Sequence, residues 1–203
     1  MGDVNQGLYL KKYVTQVDGP ILEIGSKDYG NTSSFRSAFA DNEYVGVDLE
    51  PGDGVDVVAD LTAGAGPLPV GYFALGICCS VLEHTPRPWV MAEHISSLIR
   101  PAGALYMSVP WVWRYHMYPD DYFRFSWRAI EALFPAFTWD RVCLSTNVPG
   151  EIIPLPADNP GVDDSMAKMV QTPGGPRKYL PYFMVNMIGT KPTPGSGAGP
   201  ASL

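Results

Sequence analysis

The feature that most restricts the fold of this chain is the alternation of strand-like and helix-like segments from its first residues to about Asp140. Parallel strands must be joined by crossovers that pass over the sheet, so this pattern requires a mostly parallel sheet with helices on both faces. Gly19 and Pro20 open a buried strand at Ile21–Ile24, and Asn31 or Thr32 is placed to cap a helix with Phe35, Ala38 and Phe39 on one face. A second strand, Tyr44–Val47, ends at Asp48, and a short third one spans Val55–Ala59. Phe73–Cys79 is apolar throughout and reads as the central strand. A helix starting at Thr85 and Pro86 carries Trp89, Val90, Ile95, Leu98 and Ile99, stops at Pro101 and Gly103, and leads into a strand at Ala104–Val109. Ser126 caps a helix bearing Ile130, Leu133 and Phe134, and Thr138–Leu144 is the next strand.

There the alternation stops. Residues 146–181 are Pro-rich and acidic, longer than most loops in compact domains, and read as an insertion that covers a pocket or forms an oligomer arm. Within it, Asp163–Gln171 has the pattern of a short helix, and after it Tyr182–Ile188 alternates like a strand that returns to the sheet. Residues 1–191 are therefore expected to form a single domain, and residues 192–203, rich in Gly, Pro, Ser and Ala, a flexible tail. A chain of 203 residues with 46% hydrophobic residues can bury one core but is short for two. Its formal charge of −7 repels phosphate backbones and argues against a nucleic-acid partner. Cys78 and Cys79 adjoin on a strand and point to opposite faces, so the three cysteines imply no disulfide framework and suit a reducing compartment. No apolar run approaches the roughly 20 residues that span a bilayer, and MGDVNQ has no signal-peptide core. A cytoplasmic protein without a membrane partner is expected.

Chemistry concentrates at the predicted strand ends. In ILEIGSKDYGN a buried strand turns through Gly25 and Gly30 toward a helix, presenting backbone N–H groups at the switch point of an α/β sheet. Asp48 closes the second strand at a distance from Gly25 that lets a carboxylate accept both hydroxyls of a ribose. Together they point to a nucleoside-bearing cofactor. A dinucleotide turn wants further glycines where Lys27 and Asp28 stand, and an acid there would repel a pyrophosphate.

With ILEIGSKDYG, YVGVDLEPG, VVADLT, ICCSVLEHTPRPW and RPAGALYMSVP in this order, the chain resembles the class I S-adenosylmethionine-dependent methyltransferases, and among them the type 11-like group. The resemblance covers roughly Ile21 to Phe134. It implies a doubly wound, Rossmann-like sheet of seven strands and S-adenosylmethionine as cofactor. It also implies that Glu23 and Gly25 border the methionine end, Asp48 holds the ribose, Asp60 and Leu61 lie by the adenine, and Ser80 lines the pocket, with Ser26, Gly30 and Leu49 completing the set. The chain departs from the family at Lys27 and Tyr29, where glycines are usual, and at Ala74, where an acid is common.

Beyond the fifth predicted strand, PWVWRYHMYPDDYFRFS places Trp111, Trp113, Tyr115, Asp120, Asp121, Tyr122 and Arg124 on the rim where a methyl acceptor would lie. Aromatic faces there would favour a sulfonium and exclude water, or they could simply pack the next helix. His84 follows the fourth strand and His116 lies in the aromatic segment; His116 is the better candidate base, and His94, mid-helix, reads as a surface residue. His116 with Asp120 and Asp121 could instead hold a metal, but no metal is expected. The sequence thus predicts a methyltransferase acting on oxygen or nitrogen of a small-molecule acceptor. A cofactor-binding scaffold without turnover and a nicotinamide-dependent oxidoreductase are the alternatives.

Overall fold

The computed structural model describes residues 2–30, 35–117, 120–156 and 166–195. In chain order its elements are α1 (Gly2–Tyr13), β1 (Ile21–Ile24), β2 (Tyr44–Asp48), β3 (Val57–Val58), β4 (Phe73–Cys79), α2 (Pro88–Leu98), β5 (Ile99–Val112), α3 (Trp127–Leu133), β6 (Thr138–Ser145), β7 (Ile152–Pro154), β8 (Lys168–Thr172), β9 (Gly175–Tyr179) and β10 (Phe183–Thr190). Eight strands form one sheet in the order β3-β2-β1-β4-β5-β10-β6-β7, while β8 and β9 form a separate hairpin. The first five sheet strands run parallel, and β10 lies antiparallel between β5 and β6. A dinucleotide fold orders its strands 3-2-1-4-5-6 with no such inserted strand.

The expected mostly parallel, doubly wound α/β fold is what forms, with one strand more than the seven expected. The addition is β7, which pairs antiparallel with β6 at the sheet edge. Three residues give no periodicity to read, and Pro154 at an edge needs no N–H partner. Side-chain alternation divides the core between the two faces. Leu22, Ile24, Cys78 and Met107 lie with α2 and α3, whereas Ile21, Ile77 and Tyr106 lie with Tyr9 and Leu10 of α1.

Helix α1 gives little signal in the hydrophobic pattern, because Tyr9 and Leu10 share its buried side with the amides Asn5 and Gln6 while Val4 and Leu8 are exposed. The Asn5 amide donates to the carbonyls of Thr146 (2.8 Å) and Val148 (2.9 Å), and its oxygen accepts from Gly150 N–H (2.7 Å). The Gln6 amide donates to Ser108 Oγ within β5 at 3.1 Å and to Ser80 Oγ just past β4 at 3.3 Å. Asn5→Ala removes three hydrogen bonds at about 1 kcal/mol each, leaving the Thr146 carbonyl and Gly150 N–H unpaired and the Val148 carbonyl with Glu151 N–H alone. For a chain of this size the unfolding temperature should fall by about 6–12 °C. A thermal melt within about 1 °C of the parent would show that these ties contribute nothing.

Several predicted elements are re-cut. The helix expected around Phe35–Phe39 is a single 3-10 turn, Arg36–Phe39, in which Phe39 is buried and Ala38 exposed; its expected caps, Asn31 and Thr32, lie outside the described residues. The third strand shortens to Val57–Val58. The helix expected from Thr85 starts at Pro88, because Leu82–His84 forms its own 3-10 turn and Thr85 is extended. Ile99 belongs to β5, which continues through a kink with Ala102 at φ +60°. Within the insertion, Lys168–Thr172 is a strand rather than a helix, since Pro173 and Gly174 turn the chain back into β9; residues 163–165 lie outside the described residues. Ser126 caps α3 as expected, accepting from Ala129 N–H at 3.3 Å.

Candidate functional site

The parallel strands β1, β2 and β4 end at one edge of the sheet, and the turn after β1 is shaped by a glycine that cannot be replaced without strain. Gly25 has φ +74°, and a Cβ there would stand 2.5 Å from Val81 Cγ2 beyond β4. Gly25 and Ser26 N–H both donate to the Val47 carbonyl, at 2.9 and 3.2 Å. Ser26 Oγ is buried without a hydrogen-bond partner among the described residues. The Lys27 N–H donates to Asp48 Oδ2 at 3.1 Å, and the Glu50 N–H to Asp48 Oδ1 at 3.3 Å. The two motifs read from the sequence therefore meet, and each Asp48 oxygen keeps lone-pair capacity for a further donor. The longer first loop rests on the second: Asp28 N–H donates to the Asp53 carbonyl at 2.9 Å.

The other predicted cofactor residues are distributed less evenly. Leu49, 58% exposed beside Asp48, offers an apolar surface that a flat ring can cover. Glu23 is buried on the α1 face, where its Oε2 accepts from Tyr44 OH at 2.7 Å; burial and this carboxylate push the Tyr44 phenol far up. Gly30 is a turn residue, at φ +82° with its N–H bonded to Asp28 Oδ1 at 2.7 Å and no atom within 4 Å of a Cβ. Asp60 Oδ1 caps its own turn through Thr62 N–H and Oγ1. The Leu61 side chain is in the core, and its carbonyl lies 2.7 Å from His94 Nδ1. His94 is accordingly a half-buried tie and not a bare surface residue.

On the other side, Ser80 adopts φ +55°, uncommon for a residue with a Cβ, and donates its N–H to the Ser108 carbonyl at 2.8 Å. The chain then drops into the 3-10 turn that carries Glu83 and His84. The Glu83 carbonyl accepts from Tyr122 N–H (2.8 Å) and Phe123 N–H (3.3 Å), which pins the aromatic segment over the strand ends. His84 Nδ1 is 2.6 Å from the Asp120 carbonyl, and its ring meets the His116 ring edge to face at 4.8 Å. The two histidines singled out by the sequence are thus neighbours. Burial holds the His84 imidazole below its usual pKa.

Asp121 and Arg124 are brought together as the internal brace of this segment. The guanidinium takes both Asp121 carboxylate oxygens and the carbonyls of Trp113, Arg114 and Phe123. The Arg124 charge keeps the Asp121 carboxyl well below the usual range. Trp111 packs edge to face on Trp127 at 5.3 Å and joins the core, and Trp113 lies against Tyr182 at 4.7 Å. Tyr115 and Tyr122 are exposed, and Tyr115 OH donates to Asp120 Oδ1 at 2.9 Å.

Sequence reasoning missed Glu83 and Gln6. The Glu83 side chain is 1% exposed, neither carboxylate oxygen has a hydrogen-bond partner among the described residues, and burial pushes its pKa up to about 8. A glutamate in a polar turn carries no sign of such burial. Its only signal is adjacency to His84.

No family model matches the chain. Over 100 residues it is 34% identical to an uncharacterized methyltransferase of Mycobacterium avium, which covers 43% of this chain and 38% of that protein. An uncharacterized methyltransferase of Mycobacteroides abscessus is 32% identical over 103 residues, with the same coverage. The chain thus spans under two-fifths of the length of these curated relatives. Among solved structures, the YcgJ protein of Bacillus subtilis superposes with a TM-score of 0.62 at 15% identity, covering 93% of this chain and 98% of its own. A SAM-dependent methyltransferase of Archaeoglobus fulgidus gives 0.58 at 12% identity, with 92% and 93% covered. The 1,6-didemethyltoxoflavin-N1-methyltransferase of Burkholderia thailandensis, with 1,6-didemethyltoxoflavin and S-adenosylhomocysteine bound, gives 0.57 at 15% identity, with 93% and 77% covered. No described helix is long and apolar enough to cross a membrane. In its sheet order, in its inserted antiparallel strand and in these likenesses, the chain has the fold of the class I S-adenosylmethionine-dependent methyltransferases.

Proposed function

We propose that this protein binds S-adenosylmethionine at the ends of β1, β2 and β4 and transfers its methyl group to oxygen or nitrogen of a small-molecule acceptor. The observation that carries this reading is the meeting of Asp48 with the Gly25 turn, joined by the 3.1 Å bond from Lys27 N–H. The residues fit the cofactor. Asp48 has acceptor capacity for ribose hydroxyls, Leu49 presents an apolar face for the adenine, and the buried Ser26 Oγ awaits a polar partner. When bound, the cofactor supplies an electrophilic methyl on a sulfonium; the acceptor's lone pair forms the new bond and the carbon–sulfur pair stays with sulfur. The chain's part is to align the two, and such positioning is worth about 7–11 kcal/mol. Ser80, whose hydroxyl accepts from the Gln6 amide just past β4, is the strand end against which the methyl would lie, and His84 with His116 receives the acceptor's polar atom. A bound small heterocycle in the Burkholderia relative supports an acceptor of that size.

Calorimetry with S-adenosylhomocysteine tests the reading. The parent chain should bind it, and Asp48→Ala should weaken binding about tenfold or more through loss of charge-assisted bonds of about 1.5–3 kcal/mol each. Asp48→Asn, which keeps one carbonyl acceptor for a loop N–H, should lose less. An unchanged dissociation constant in Asp48→Ala, or tighter binding of a nicotinamide dinucleotide by the parent, would overturn it.

A further inference from the structure

The least explained group in the molecule is the Glu83 carboxylate. It is fully buried, and both oxygens lack a hydrogen bond among the described residues. Its only local relief is its own backbone N–H and the charge of Arg124, which already grips Asp121. A buried carboxyl without a hydrogen bond is unfavourable, and ionising it without a counter-charge is more so.

What faces it does not relieve it. His84 Nδ1 points at the Asp120 carbonyl, which can only accept, so Nδ1 carries the proton and Nε2 of the neutral ring is a lone pair. That Nε2 lies 3.8 Å from Glu83 Oε1, too far for a hydrogen bond, so the imidazole leaves the carboxyl unpaired. His116 Nδ1, buried as well, lies 3.1 Å from Asp121 Oδ2 without making a hydrogen bond. One donor atom each from Glu83, His84 and His116 fall within 4.8 Å of one another. Donors bound to one ion at about 2.0–2.2 Å stand about 3–3.5 Å apart, so small side-chain rotations would close the set. The Asp120 carbonyl on the His84 ring is the outer-shell contact that fixes a ligating imidazole.

We propose that Glu83, His84 and His116 form a site for one divalent transition-metal ion. Two imidazoles and a carboxylate suit zinc, manganese or cobalt, and three protein donors leave coordination positions open. Those positions lie beyond the Ser80 end of β4, so an ion there would take an acceptor carrying a hydroxyl or carboxylate oxygen. This use, though not the ion site itself, rests on the methyl-transfer reading. It also gives His116 a different task from that of a free base, which would need no ion.

The test uses the full chain after chelator treatment. Adding Mn(II) should broaden the ring resonances of His84 and His116 and spare His94. Co(II) should produce ligand-field absorption saturating at one ion per chain, and Glu83→Gln and His116→Ala should each weaken it about tenfold or more. Circular dichroism confirms that each variant folds, and S-adenosylhomocysteine affinity is measured on the same samples. No saturable Co(II) signal up to about millimolar concentration, equal broadening of His94, or full affinity in folded Glu83→Gln and His116→Ala would overturn the site. Metal binding without cofactor binding would instead sink the methyltransferase reading and leave the site standing.

Discussion

His116→Ala should lower turnover by about 10²-fold while leaving S-adenosylhomocysteine affinity unchanged within about twofold. The magnitude follows from the roughly 10²- to 10⁴-fold that a positioned group contributes when it handles the proton of a reacting atom. The substitution is clean because the loop does not depend on the imidazole. Arg124 holds the segment through Asp121 and the carbonyls of Trp113 and Arg114, and the His116 backbone N–H, which alanine retains, bonds Asp121 Oδ2 at 2.8 Å. The ring is 30% exposed against 13% for His84, so it is also the histidine more open to an acceptor arriving from solvent. The assay follows S-adenosylhomocysteine release with an acceptor found by screening. His94→Ala, whose ring meets the Leu61 carbonyl and not the strand-end turn, is the comparison variant, read at saturating cofactor because Leu61 is an expected neighbour of the adenine. Near-normal turnover in His116→Ala would mean that alignment alone carries the reaction.

The sequence was most legible where one physical signal decided the outcome. Phe73–Cys79 is buried on both faces of the sheet and so is apolar at every position but glycine, which is why its bounds could be read without error. Asp48 and Gly25 were legible as neighbours because each closes a predicted strand, and parallel pairing of β1 with β2 sets those strand ends side by side. Helix α1 was not legible, because two of its buried positions are amides that bond loop carbonyls and serines far away in sequence. The helix expected at Asp163–Gln171 overlaps strand β8, because a short window of mixed residues fits either period and the Pro–Gly turn that follows is the stronger cue. Arg124 and Asp121 read as acceptor contacts because charge in an aromatic segment suggests binding; their mutual bidentate pairing, which the sequence does not announce, braces the segment's own shape.

Gly25→Ala is the substitution expected to damage both fold and cofactor binding most. Two effects add. A residue with a Cβ at φ +74° pays about 1–2 kcal/mol for the left-handed conformation alone. The same Cβ would stand 2.5 Å from Val81 Cγ2, and relieving that overlap means moving either the turn or the β4 end, at about 1–3 kcal/mol. A total near 3 kcal/mol corresponds to a fall of about 6–12 °C in unfolding temperature. Moving the turn also displaces the Gly25, Ser26 and Lys27 N–H groups that set its position on Val47 and Asp48, so S-adenosylhomocysteine affinity should drop at least about tenfold. A double-mutant cycle separates the two terms. Val81→Ala removes the colliding methyl, so Gly25→Ala combined with Val81→Ala should lose less than the two single changes together, while the backbone term persists. If the two losses simply add, the overlap with Val81 is not what makes glycine necessary, and the left-handed turn alone accounts for it.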